Sequence, residues 1–142
     1  MMGTFDALCQ QLHRYQATLR TCFTLENFDN LIKNGRMRPI VGTLLRSLGI
    51  HIIADATAEG TIHVADKARG VGKTYRAITA LMKASKDCTD AEVVISHCEN
   101  LEGAMALKRQ ILADLPVKQV DLLSCRGLTS FYAMEKGLIV GY

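Results

Sequence analysis

The chain has 142 residues, 49% of them hydrophobic, and a net charge of only +3, which suits one domain with a true core and argues against a nucleic-acid-binding surface. No apolar run is long enough to cross a membrane, and no charged start followed by a long apolar stretch marks a signal peptide. Five cysteines, an odd number without C-x-x-C spacing, point to free thiols in a reducing cytoplasm.

Phe5, Leu8, Leu12, Tyr15 and Leu19 recur at helical spacing with Cys9 beside them, predicting an amphipathic helix over about 4–19. Residues 21–24 are short and β-prone. A second helix is expected over 25–33, burying Leu25, Phe28, Leu31 and Ile32, with Asn34-Gly35 as a left-handed stop. Pro39 can open a third helix running to about Ser47. Residues 50–56 are nearly all apolar and read as a buried strand. A turn and a half-buried strand over 61–67 make it a hairpin.

A helix over 70–86 follows, with Val71, Tyr75, Ile78 and Met82 on its buried face. Residues 92–96 form a buried strand. Leu101, Ala104, Met105, Lys108, Ile111, Leu112 and Leu115 mark the next amphipathic helix. Strands over 117–123 and 138–142 complete the chain. Alternating helices and strands from Ile50 onward predict an α/β fold, a mixed sheet layered with helices behind an N-terminal helical segment, as one domain over 1–142.

Four places bear on chemistry. Gly72-Lys73-Thr74 matches the end of a phosphate-binding loop, G-x-x-x-x-G-K-[ST]. Its other half is missing, because Lys67 stands where the first glycine belongs and the preceding strand alternates. Asn34-Gly35-Arg36-Met37 puts a guanidinium after a glycine turn, where its fork could meet a carboxylate or cap a helix. Ser96-His97-Cys98-Glu99-Asn100 lies at the carboxyl end of a strand, where α/β sheets collect ligands. Neighbouring strand residues face opposite ways, however, and Asn100 more simply caps the next helix. Ser124-Cys125-Arg126-Gly127-Leu128-Thr129-Ser130 reads as a polar loop able to hold an anion. His51, His63 and Cys125 lack metal-site spacing, and Asp55 and Asp66 lie on the hairpin without an evident partner.

"FTLENFDNLIKNGRM" resembles the F-x-x-x-x-L-x-x-L-x-x-G-G-R-[IM] stretch of DegV family proteins, with Asn34 in place of the first glycine. The hairpin and helix that follow resemble the family's l-G-x-L-L-x-I-K-P-I, G-x-I and K-x-R-x-x-K-K-A elements, so Lys67, Arg69 and Lys73 match a family pattern. "VVISHCENLEGAMALKRQI" resembles its v-x-i-x-H-a-x-n-x-x-x-A-x-x-l segment. The likeness covers about 21–142. Two departures stand out. The family's Lys-Pro is Ile50-His51-Ile52 here. The closing [TS]-H-x-G-P-G loop has Cys125 for His, and Leu128 and Thr129 for Pro and Gly.

The resemblance implies a non-enzymatic, fatty-acid-binding C-terminal domain of a two-domain protein. The N-terminal domain, with its hydroxyl-bearing loop, has no counterpart in this sequence. The acyl chain would lie in an apolar tunnel, and the whole protein would present its carboxylate to a fatty acid kinase. Arg36, Met37, Ile40, Leu44, Arg126, Thr129 and Ser130 are the residues expected at the lipid, and Lys67, Arg69 and Lys73 at a docking partner. No catalytic residue, metal or cofactor is expected beyond the fatty acid as ligand. An apolar face left bare by the other domain would favour a homodimer. Two other readings stay open: a nucleotide-dependent phosphotransferase built on Gly72-Lys73-Thr74, and a regulatory module that docks an acidic protein through the basic stripe Arg69, Lys73 and Arg76.

Overall fold

The computed structural model describes residues 4–37, 49–57 and 59–142. The chain runs through α1 (Phe5–Thr18), β1 (Thr21–Leu25), α2 (Asp29–Lys33), β2 (Ile50–Ala56), β3 (Ile62–Arg69), α3 (Val71–Ser85), β4 (Glu92–His97), α4 (Leu101–Asp114), β5 (Gln119–Ser124), α5 (Gly127–Ala133) and β6 (Leu138–Gly141). The helix expected from Pro39, and with it Ile40 and Leu44, lies outside the described residues.

The strands form one six-stranded sheet in the order β3-β2-β1-β6-β4-β5. Among the described strands only the β4–β5 pair is parallel, which makes the sheet mixed, as the hairpin and the later helix-strand alternation predicted. Because side chains alternate along a strand, the sheet has two distinct faces. On the first, Cys22, Ile53, Val93, Ile95, Val120, Leu138 and Val140 meet Tyr75, Ile78 and Met82 of α3 and Ala104, Leu107 and Ile111 of α4 in one continuous core. On the second, Leu25, Ile52 and Ala54 meet Phe28, Leu31, Met37 and Ala133, with Phe23, Ile62, Val64 and Ile139 only half-buried.

A register shift between Ile53 and Ala54 skips Ala65, so β3 changes phase midway. Ile62 and Val64 pack with the second-face cluster, whereas Ala68 packs with the first. A single strand thus serves both layers.

Several sequence expectations need correction. The second helix begins at Asp29, not near residue 25, because Leu25 stays in the sheet opposite Ile52. The Asn27 side chain accepts a bond from the Asp29 N–H (2.8 Å) and turns the chain into the helix. Val71 is 52% exposed, although it belongs to the α3 stripe, because an open cleft lies beside it. On α4, Ala104 and Ile111 of the expected stripe face the sheet, joined by Leu107, while Leu101, Met105 and Leu112 are exposed. Arg69 ends a strand, so it does not continue the helical stripe of Lys73 and Arg76. Asp55 does have a partner, the His63 Nδ1 at 2.9 Å across the hairpin.

The first helix forms where its periodicity placed it, with the Thr4 hydroxyl accepting from the Ala7 N–H at 3.3 Å as its N-cap. Yet it buries none of its residues: Phe5 is 78% exposed and Tyr15 61%. An amphipathic stripe without a surface to meet is left facing water.

Candidate functional site

Among the described residues, the second face of the sheet is covered by short elements, with room left between them. The five-residue α2 ends in a Schellman cap. Gly35, at φ 67°, sends its N–H to Ile32 O (3.0 Å), and Arg36 sends its own to Leu31 O (2.8 Å). A side chain at position 35 would be strained in this left-handed conformation, so the glycine sets where Arg36 emerges. Opposite it lies the seven-residue α5, tied to α2 by the Asn30 side-chain amide donating to Phe131 O at 2.7 Å.

Between these helices and the hairpin runs a groove of about 660 Å³. Its floor is Phe23 and Leu25 of β1 and Ile139 of β6. One wall is Leu31, Asn34, Gly35 and Arg36. The other is Leu128, Tyr132 and Ala133 of α5, and Gly60, Thr61 and Ile62 of the hairpin close one side. The volume lies in the ordinary range for a small-molecule site, and such sites are largely apolar with a few convergent polar groups. Here the polar groups are Asn34, Arg36, Thr61 and the Tyr132 phenol, and Arg36 is the cation of the lining.

Of the residues expected at a lipid, Arg36 lines this groove, and Met37 is buried in the cluster beneath it. Arg126 is the N-cap of α5, Thr129 is exposed and Ser130 half-buried, and all three lie outside the lining. Leu128 and Tyr132, four apart on the same helix, are the α5 residues that face the groove together with Ala133. Reading 124–130 as a loop hid this, since only helical spacing separates 128 and 132 from 129 and 130. Phe23, Leu25 and Ile139 also went unsingled, although alternation along β1 and β6 puts them on one face.

A second cleft, of about 330 Å³, opens on the first face between the starts of α3 and α4. Its lining is mixed in charge, with Glu26, His51, Glu102 and Lys136 around Thr24 and Tyr75. The Tyr75 phenol is pushed up by burial and by the nearby Glu26 and Glu102 carboxylates. The buried Thr24 Oγ1 has no hydrogen-bond partner among the described residues. Such a lining does not suit an aliphatic chain.

The phosphate-loop likeness does not fold as a loop. β3 runs straight into α3 through Gly70, and the Thr74 hydroxyl is buried and donates back to Gly70 O at 3.1 Å. Lys67 and Arg69 lie exposed on the edge strand β3, and Lys73 is exposed in the first turn of α3. Lys67 and Arg69, opposite Ile52 and Ile50, lie on the second side of the sheet, whereas α3, which carries Lys73, packs on the first. No helix is long and apolar enough to cross a membrane, and no cluster of three or more metal-ligating side chains occurs among the described residues.

The family model described as "Uncharacterised protein, DegV family" matches residues 3–138. A DegV domain-containing protein of Streptococcus gordonii is 32% identical over 140 residues, 98% of this chain and 49% of that protein. The Streptococcus pneumoniae Fatty Acid Kinase (Fak) B3 protein, solved loaded with linoleic acid, is similar with a TM-score of 0.88 at 32% identity, over 99% of this chain and 50% of that one. A DegV family protein from Eubacterium eligens loaded with heptadecanoic acid gives a TM-score of 0.90 at 27% identity, over 98% and 50%. The chain thus spans about half the length of the relatives it matches.

Proposed function

The chain belongs to the DegV family, and on that premise we propose that it is the C-terminal half of a fatty-acid carrier. The observation that carries this reading is the apolar groove on the open face of the sheet, with Arg36 in its wall. Each methylene moved from water into such a groove contributes about 0.8 kcal/mol. A carboxylate drawn in without a partner would cost several kcal/mol. The Arg36 guanidinium offsets that cost with two parallel N–H donors. Relatives of similar fold and about 30% identity were solved with long-chain fatty acids bound.

The carrier does no chemistry in this reading; it holds an acyl chain for another protein to modify, and a fatty acid kinase is the proposed client. Lys67, Arg69 and Lys73 supply a basic edge for it. The other half of a DegV protein is the proposed cover for the bare apolar face of α1, and Arg126, Thr129 and Ser130 are proposed as further donors near the head group. Without this half, two copies pairing through α1 is the expected substitute. Free thiols are in keeping with a cytoplasmic setting.

Native mass spectrometry of the chain with oleic acid tests this reading. One bound fatty acid per chain is expected, lost in Leu128→Asp, which puts a charge into the groove wall at an exposed position. Equal retention by the variant would move the ligand elsewhere. Failure to bind, both alone and joined to a DegV N-terminal half, would end the proposal. The phosphotransferase reading predicts a magnesium-dependent rise in melting temperature with ATP; the buried, internally bonded Thr74 hydroxyl favours none.

A further inference from the structure

The parallel strands β4 and β5 run side by side with His97 opposite Ser124. The next ladder bond is also made: the Cys125 N–H donates to His97 O at 2.8 Å. The strands end there, and continuing the same register one step past their ends brings Cys98 and Cys125 side by side. Alternation puts Val93, Ile95 and His97 on the first face, so Cys98 falls on the second, and by the same count from Val120 so does Cys125. Both thiols pack against the second-face cluster, and both are half-buried rather than sealed.

Neighbouring strands lie about 4.8 Å apart, and a disulfide needs Cα atoms about 4.4–6.8 Å apart with both Cβ atoms on the same side. The ordinary strand spacing falls within that range, and both thiols pack against the same second-face cluster. The backbone on either side is held, since the Cys98 N–H donates to Gly137 O at 3.1 Å and its carbonyl accepts from the Lys136 N–H at 2.8 Å. Closing the bridge would require side-chain rotation rather than chain movement. The Cys125 thiol is raised chiefly by burial and further by the Cys98 beside it, as expected for two thiols within reach of each other. The remaining cysteines lie elsewhere: Cys22 and Cys88 are buried in the first-face core, and Cys9 is on α1.

We propose that Cys98 and Cys125 form a reversible disulfide site, closed by exchange with a small-molecule disulfide such as oxidised glutathione. In the first step one cysteine thiolate attacks a glutathione sulfur, forming a mixed disulfide and releasing one glutathione thiolate. In the second, the other cysteine thiolate attacks the protein sulfur of that mixed disulfide and releases the second glutathione. The two cysteines lose two electrons and two protons, and oxidised glutathione gains both to give two thiols. The bridge would lie immediately before α5, the helix that supplies Leu128, Tyr132 and Ala133 to the groove.

The test treats the whole chain with excess oxidised glutathione, blocks remaining thiols with an alkylating agent and reads intact and peptide masses. Wild type is expected to lose two hydrogens and to yield a Cys98–Cys125 cross-linked peptide that dithiothreitol opens. Cys98→Ser and Cys125→Ser, each small and suited to a half-buried site, are expected to stop at a stable glutathione adduct on the remaining partner. Stable adducts on both cysteines of wild type would overturn the proposal, because resolution would then have failed. A cross-link through Cys9, or both thiols staying unmodified, would overturn it equally. Circular dichroism of each variant confirms that the fold persists while the masses are read.

Discussion

The two faces of one sheet are built to different ends. The first is roofed by α3 and α4, with fifteen and fourteen residues, and its core runs unbroken from Cys22 to Tyr142. The second is roofed among the described residues by helices of five and seven residues, and a groove remains between them. Both faces draw on the same strands, even on neighbouring residues such as Ile52 and Ile53. Long helices can cover several strands at once and exclude water. Short ones pin single points and leave apolar floor between them. Among the described residues, the first face is thus the closed layer and the second the one with a groove.

The largest effect should come from the first face. Ile78→Ala removes a fully buried side chain from α3 and should cost about 2–5 kcal/mol by chemical denaturation. Leu128, 71% exposed at the groove wall, should tolerate change to within about 0.5 kcal/mol. Equal costs at the two positions would erase the distinction between the faces.

Alkaline pH should strike the same closed layer. The Cys22 thiol is pushed up to about 12 by burial and then by the Asp55 charge, and the Tyr142 phenol to about 12 by burial above all. Both are acids whose folded pKa exceeds the unfolded value, so the folded state holds its protons longer. Their stabilising contribution is complete below pH 9 for Cys22 and below pH 10 for Tyr142, and it is lost as pH rises towards about 12. Denaturant midpoints should fall across that window, and Cys22→Ala should shallow the lower part of the fall. A flat profile between pH 9 and 12 would mean that these groups are not shut away from water in the folded chain.

On the open face the sharper probe is ligand binding. Removing a charge-assisted bond costs about 1.5–3 kcal/mol, so Arg36→Ala should weaken fatty-acid binding by about tenfold or more, with little change in stability. A fatty-acid methyl ester, lacking the carboxylate charge, should bind wild type and variant alike. An equal loss for both ligands would mean that Arg36 acts on the shape of the groove.

The smallest effect is expected at Thr24, whose hydroxyl is buried without a partner among the described residues. Replacing an unsatisfied polar group with an apolar one of the same shape is near neutral or stabilising. Thr24→Val should hold or raise the melting temperature. A clear fall would show that the hydroxyl is bonded in solution, to water or to a ligand of the mixed-charge cleft.

Much of this was legible in the sequence. The hairpin, the α3 stripe of Tyr75, Ile78 and Met82, and the Asn34-Gly35 stop all rest on local patterns, and all three formed. Arg36 could be singled out because a glycine turn fixes the side chain after it. The α5 helix was not legible, because its seven residues offer barely two turns of periodicity behind a polar Ser-Cys-Arg. The exposure of α1 was not legible either. Its apolar stripe is the same whether or not a surface meets it, so periodicity predicts the helix but says nothing of its cover.

By itself the sequence determined most of the elements, the mixed α/β class and the family, since each depends on residue type at short spacing. Only the tertiary structure decided which side chains share a face. The skipped Ala65 switches β3 from one layer to the other, and the parallel pairing of β4 with β5 brings the segments that carry Cys98 and Cys125 together. These are consequences of strand pairing between distant segments, and pairing register is a property of two strands together, which neither carries alone.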